Sequence, residues 1–184
     1  MKNVLSINSR EEFREWLNNH STKEKECWVI CPRQKPDNKT FTYLDAVEEA
    51  ICFGWIDSVL KSVDDVNYQR FSPRKKNSPW TELNKERARR LIKLGLMTNR
   101  GKKTLPNMRY KEDEKIANLL KKARIYSKFK KFPPLYQRVR MYNIAFYRNR
   151  SKKDYEIAIN HLIEKTKRGE MYGEWNDYGR LLGY

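Results

Sequence analysis

No stretch of this 184-residue sequence approaches the roughly 18 consecutive apolar residues that a membrane span requires, and the opening MKNVLSINSREEFREW lacks the apolar run of a secretory leader. The expectation is a cytoplasmic protein with no membrane span. Cysteine is scarce and odd in number, Cys27, Cys31 and Cys52, which argues against a disulfide framework. Cys27 and Cys31 would share one face of a strand, but no histidine stands near them, so they read as buried thiols rather than a metal site. Histidine is nearly absent: His20 and His161 lie far apart and read as surface or boundary residues. Also missing are a P-loop, a Gly-x-Gly-x-x-Gly turn, zinc-finger spacing and a Gly-x-Ser-x-Gly elbow. No catalytic motif and no cofactor are therefore expected, and the reading leans away from an enzyme. There is no internal repeat and no low-complexity tract.

What is present is positive charge, +17 in all, and it is unevenly placed. Residues 1–60 hold 8 Lys/Arg against 10 Asp/Glu, residues 61–150 hold 26 against 7, and residues 151–184 hold 6 against 6. The whole excess sits in the middle of the chain. Such a field attracts phosphate backbones, acidic surfaces or acidic proteins, with strong salt dependence, although lysines that merely solvate helix faces would give the same tally.

The hydrophobic fraction of 39% is enough for a real core at this length. Ser9 with Glu12 opens an amphipathic helix carrying Phe13, Trp16 and Leu17. ECWVICPR predicts a strand over about 26–32, and Thr42 with Asp45 caps a helix whose buried stripe is Ala46, Val47, Ala50 and Ile51, ended by Gly54. WIDSVLKSV and YQRFS predict two strands joined by a turn over Asp64 to Asn67. Counting outward sets Val63 opposite Tyr68, Lys61 opposite Arg70 and Asp57 opposite Arg74. Ser78-Pro79 predicts a capped helix with proline in its first position, running to Leu94 and stopped at Gly95. A linker follows Pro106. Beyond it Ile116, Leu119, Leu120 and Ala123 recur at helical spacing, Pro133-Pro134 and Ser151 mark further helix starts, and the aromatic tail GEMYGEWNDYGRLLGY reads as docked.

The words FTYLDAVEEAICFGWIDS, RFSPRKKNSPWTELN and ARRLIKLGLMTNRG resemble the YdeI/OmpD-associated (OmdA) family, also labelled bacteriocin-protection proteins. Its Gly-Trp-Ile-Asp, Pro-Arg, Ser-x-Trp-(Ser/Thr)-x-x-Asn and Gly-x-Met-Thr elements correspond here to Gly54–Asp57, Pro73-Arg74, Ser78–Asn84 and Gly95–Thr98. The likeness is strong over about residues 10 to 104 and looser beyond. Near the start of the final helix the family's Ala-Lys and Thr-Arg elements are replaced by Tyr147-Arg148 and Ser151-Lys152. The resemblance implies a small cytoplasmic α+β protein tied to protection against bacteriocins or antimicrobial peptides, with no agreed catalytic residues.

These readings combine into an α+β fold: a small antiparallel β-sheet covered by helices over residues 1–106, with an all-helical C-terminal extension over 107–184 that packs on that core. The candidate anion-binding site is a basic corner between hairpin and helix, made of Trp55, Asp57, Arg70, Arg74, Lys75, Ser78, Trp80, Asn84 and Arg87. Arg74 either forms a fold-fixing ion pair with Asp57 or is aimed by it at an anion. Ser78 at a helix start would add unpaired N–H groups, and Trp55 or Trp80 either fills the core or offers a stacking face. Three functions follow: a protection protein acting through a protein partner, a nucleic-acid binding module, and an enzyme on a small anionic substrate. A monomer or weak dimer is expected.

Overall fold

The computed structural model describes residues 1–37 and 39–184. The chain is α+β, and it divides into two compact units. The first comprises residues 1–79 and 87–107 with Tyr184; the second comprises residues 80–86 and 108–183.

In the first unit, strand β1 (Val4–Leu5), helix α1 (Arg10–His20), β2 (Cys27–Ile30), α2 (Tyr43–Cys52), β3 (Trp55–Val63) and β4 (Val66–Pro73) follow one another. The sheet order is β1-β2-β4-β3. It is mixed rather than wholly antiparallel, because β1 runs parallel to β2 while the other pairs are antiparallel. The expected caps form: Ser9 Oγ accepts from Glu12 N at 3.1 Å. Thr42 and Asp45 close a reciprocal capping box. Phe13 packs on Phe41 and Phe71 at 6.0 and 5.5 Å between ring centres, and Trp16 stands edge-on to Trp55 at 5.8 Å.

The hairpin register differs from the expected one. The turn is two residues, Asp64 and Asp65, both at positive φ (48° and 60°), so Val63 faces Val66. A two-residue turn with both central residues left-handed matches the twist of the strands, and aspartate tolerates that region better than most side chains. A bulge between Asp57 and Leu60 then adds one residue to β3 and sets Asp57 opposite Phe71. Lys61 faces Tyr68 rather than Arg70.

Helix α3 (Glu82–Lys93) starts later than Ser78-Pro79 predicts. Ser78 N instead donates to Lys75 O at 2.9 Å, closing a turn, and Thr81 Oγ1 accepts from Asn84 N at 3.1 Å as the actual cap. Helix α4 (Asn99–Lys103) is capped by Thr98, whose hydroxyl also donates to Cys52 O at 2.6 Å at the end of α2. Gly101 lies so close to that same carbonyl that a β-carbon would stand 2.3 Å from it.

The second unit holds α5 (Glu114–Lys122), α6 (Tyr126–Phe129), α7 (Pro134–Tyr147) and α8 (Lys152–Arg168). Ile116, Leu120, Phe129, Tyr136, Met141 and Leu162 form its core. The tail is docked there: Trp175 stands edge-on to Tyr136 at 5.7 Å, and Leu181 joins Leu135 and Val139. Among the described residues no helix is long and apolar enough to cross a membrane.

Candidate functional site

The nine predicted site residues fall in both units: Trp80 and Asn84 belong to the second, the other seven to the first. Trp55 is 1% exposed, and its indole N–H donates to Ser21 O at 3.2 Å. It is a core tryptophan. Trp80 is buried as well, so neither ring is an open stacking face. Arg74 is buried, its backbone N donating to Gly54 O at 2.9 Å and its Nη1 to Pro79 O at 3.0 Å. The tight turn and the bulge move Asp57 along the ladder, so that it faces Phe71 rather than Arg74. Arg70, which faces Trp28 on β2, pairs diagonally with Glu26 just before that strand, Nη2 to Oε2 at 2.6 Å, and this bond holds the Glu26 carboxyl below its ordinary range. Arg87 and Asn84 are buried; Lys75 is exposed and Ser78 half-buried.

Asp57 has a different partner. The Tyr43 hydroxyl, on the first turn of α2, donates to Asp57 Oδ2 at 2.7 Å. Burial first, and then the Asp57 charge, push the Tyr43 hydroxyl well above its ordinary pKa, while Arg87 and Arg33 act in the opposite sense. The Arg33 guanidinium lies 4.1 Å from the centre of the Tyr43 ring and donates to Gln69 Oε1 at 2.9 Å. Gln69 in turn donates to Val59 O at 3.2 Å, at the bulge. The locus is thus Arg33, Tyr43, Asp57 and Gln69, with Arg87 in its field. Arg33, Tyr43 and Gln69 were not among the expected residues. The sequence signal for Tyr43 and Gln69 is that FTY and QRF flank the predicted corner, while Arg33 only closes the predicted strand ECWVICPR.

More substantial is a buried charge network on α2, which the apolar stripe did not reveal. Glu48 and Glu49 are almost fully buried, and every residue from Leu44 to Cys52 is inside. Arg10 reaches Glu49 Oε1 through Nε at 2.7 Å and Glu48 Oε2 through Nη1 at 2.8 Å. Arg14 holds Glu49 Oε2 at 2.7 Å and Arg90 holds Glu48 Oε1 at 2.8 Å. Burial alone would lower the Arg10 pKa, yet the two glutamates raise it above its ordinary value. All three thiols are buried, and burial pushes Cys31 and Cys52 up to about 12. Among the described residues no group of three or more His, Cys, Asp or Glu could hold a metal ion.

These arrangements neutralise carboxylates rather than assemble a reacting pair. Arg138 takes Glu86 at 2.8 Å and Arg148 takes Asp113 at 2.6 Å in the second unit. Exposed Lys75, Lys76, Lys102 and Lys103 carry no ion pair among the described residues.

The sequence profile of one family, Domain of unknown function (DUF8412), matches residues 5–104, more than half of the chain. The chain belongs to this family. No curated protein and no solved structure matches it.

Proposed function

We propose that the chain is a non-catalytic binding protein that captures a phosphate-rich polymer, RNA or DNA, through its basic middle segment. The observation that carries this reading is the fate of the acids. Glu26, Glu48, Glu49, Glu86 and Asp113 are engaged by arginines, while exposed lysines such as those at 75, 76, 102 and 103 carry no ion pair among the described residues and present part of the +17 excess to solvent. Unpaired surface lysines release counterions when they meet phosphate, which is the main source of sequence-independent affinity. General-base chemistry at Asp57 is less well supported, since the groups near it, the Tyr43 hydroxyl that donates to it and the Cys31 thiol in its field, are both held protonated by raised pKa values.

The likeness of Gly54–Asp57, Pro73-Arg74 and Gly95–Thr98 to YdeI/OmdA proteins adds a setting, protection against bacteriocins or antimicrobial peptides from within the cell. An acidic intracellular partner fits that setting better than capture of a cationic peptide, which this chain would repel.

The test is retention on heparin and on a polyuridine column as salt is raised. Retention should fall steeply with log salt, and Lys75→Glu with Lys76→Glu should shallow the slope by about two released counterions. Absence of retention at about 50 mM salt, where such contacts are strongest, would refute the reading.

A further inference from the structure

We propose that the groove between α7 and α8 of the second unit is a binding site for a small organic monocarboxylate with an apolar body. The observation is Arg140. This side chain is 8% exposed, yet no carboxylate pairs with it among the described residues, and its buried Nε has no hydrogen-bond partner. Its Nη2 donates to Glu174 O at 2.9 Å, and its guanidinium lies 4.9 Å from the centre of the Tyr172 ring. Gly173 lets the tail pass against it, since a β-carbon there would stand 2.8 Å from Nη1. The arginine is therefore fixed in direction by the docked tail and by the Tyr136 and Tyr172 rings, while no carboxylate pairs with it among the described residues. A buried cation without a counter-charge is costly unless an anion supplies one.

The space in front of it fits a small ligand. Arg140 lines a groove of about 580 Å³ whose walls include Asn143, Ile157, His161 and Tyr172. The His161 ring stands edge-on to Tyr172 at 4.4 Å, so one side is aromatic, and Ile157, 56% exposed, forms an apolar rim. Volumes of a few hundred Å³ with apolar walls and one or two polar anchors are what small-molecule sites use. With Nη2 already donating to Glu174 O and Nη1 lying against Gly173, Arg140 offers a carboxylate in the groove a charge-assisted contact rather than a free two-pronged fork. Among the described residues Arg140 is the only cation lining the groove, and Asp154 lines it too, so a second negative charge on the ligand would be unmatched or repelled. That selects a monocarboxylate over a polyphosphate. The site is separate from the polymer-binding reading above and stands or falls alone.

The experiment uses the full chain, isotopically labelled, titrated at constant ionic strength with benzoate, its neutral isostere benzamide, and pyrophosphate, while amide shifts are followed. Benzoate should give saturable shifts at Ile157, His161 and Tyr172 by about 10 mM, the range of a simple millimolar ligand. Benzamide should bind at least about tenfold more weakly, as loss of a charge-assisted bond requires. Arg140→Gln should abolish the shifts, but it could also unsettle the tail. Ile157→Glu, on the exposed rim, leaves the core untouched and should weaken benzoate at least about tenfold by repulsion. Absence of saturable shifts, equal binding of benzamide, indifference to Ile157→Glu, or pyrophosphate binding more tightly than benzoate would each overturn the proposal.

Discussion

Replacing Glu49 by glutamine should cost the first unit about 3 kcal/mol of stability, near the lower end of what breaking a buried ion pair costs. Glu49 is 1% exposed and receives Arg10 Nε and Arg14 Nη1, each at 2.7 Å. At an effective dielectric near 20 and a charge separation of about 4 Å, each pair is worth about 4 kcal/mol before desolvation is subtracted. Three features reduce the loss. Arg10 keeps Glu48, the Arg14 side chain is 33% exposed and can recover water, and the glutamine carbonyl still accepts one bond. Arg14→Met removes only one cation and leaves Glu49 with Arg10, so about 1 to 2 kcal/mol is expected. The double variant should show a coupling of about 1 to 2 kcal/mol, because both changes disturb the same carboxylate. Urea unfolding followed by circular dichroism gives the totals. Hydrogen exchange at Val47, Ala50 and Ile51 restricts the reading to α2, which matters in a chain of two units. A loss below about 1 kcal/mol for Glu49→Gln, with no coupling to Arg14, would refute the claim that this network is dry and interdependent.

Gly101→Ala should destabilise by about 3 kcal/mol, at the top of the usual overpacking range, because the obstructing atom is the Cys52 carbonyl and backbone cannot rotate away; thermal unfolding reads it. Thr81→Ala should cost about 1 kcal/mol, whereas Ser78→Ala should stay within about 0.5, which a pair of melts distinguishes. Tyr43→Phe deletes the bond to Asp57 and should cost about 1.5 kcal/mol, the low end for a bond to a charged acceptor since Asp57 is half-buried; no cost in a urea melt would show that Asp57 is held by something else. The buried thiols should resist a disulfide reagent at pH 8 and all react after unfolding. Their folded pKa values lie above the ordinary thiol value of about 8.5, so the stability they contribute is complete below that pH and declines as pH rises beyond it, which alkaline urea melts would detect.

Features decided by a few neighbouring residues were legible in the sequence. Ser9, Thr42 and Ser151 cap the helices they precede, because an N-cap needs only a hydroxyl and the next three amides. Gly54 takes a positive φ of 75° where the α2 stripe ends. Helix α5 follows from the spacing of Ile116, Leu119 and Leu120. The two-residue β1 carries too little pattern to be seen, since its only warrant is pairing with β2. Two hydroxyls three residues apart, Ser78 and Thr81, competed for the α3 cap. The Lys75–Ser78 turn decides between them, and no helix periodicity reports on it.

The expected hairpin register was missed for a related reason. An Asp57–Arg74 pair depended on a register, and a register is fixed by turn length and bulges, each of which moves every later partner. Burial of Glu48 and Glu49 was hidden because a helix enclosed all round has no polar face for its charges to mark. Arg140 was hidden more deeply. It is buried, yet no carboxylate pairs with it among the described residues, which is a property of what the α7–α8 pair and the tail fail to bring near it. A charge count treats a paired and an unpaired arginine alike. The energies do not: a paired buried cation mostly stabilises the fold that pairs it, while an unpaired one lowers its free energy only when something else arrives. The surface lysines set how strongly a polyanion is attracted. The stranded arginine, if benzoate finds it, sets what a small ligand must look like.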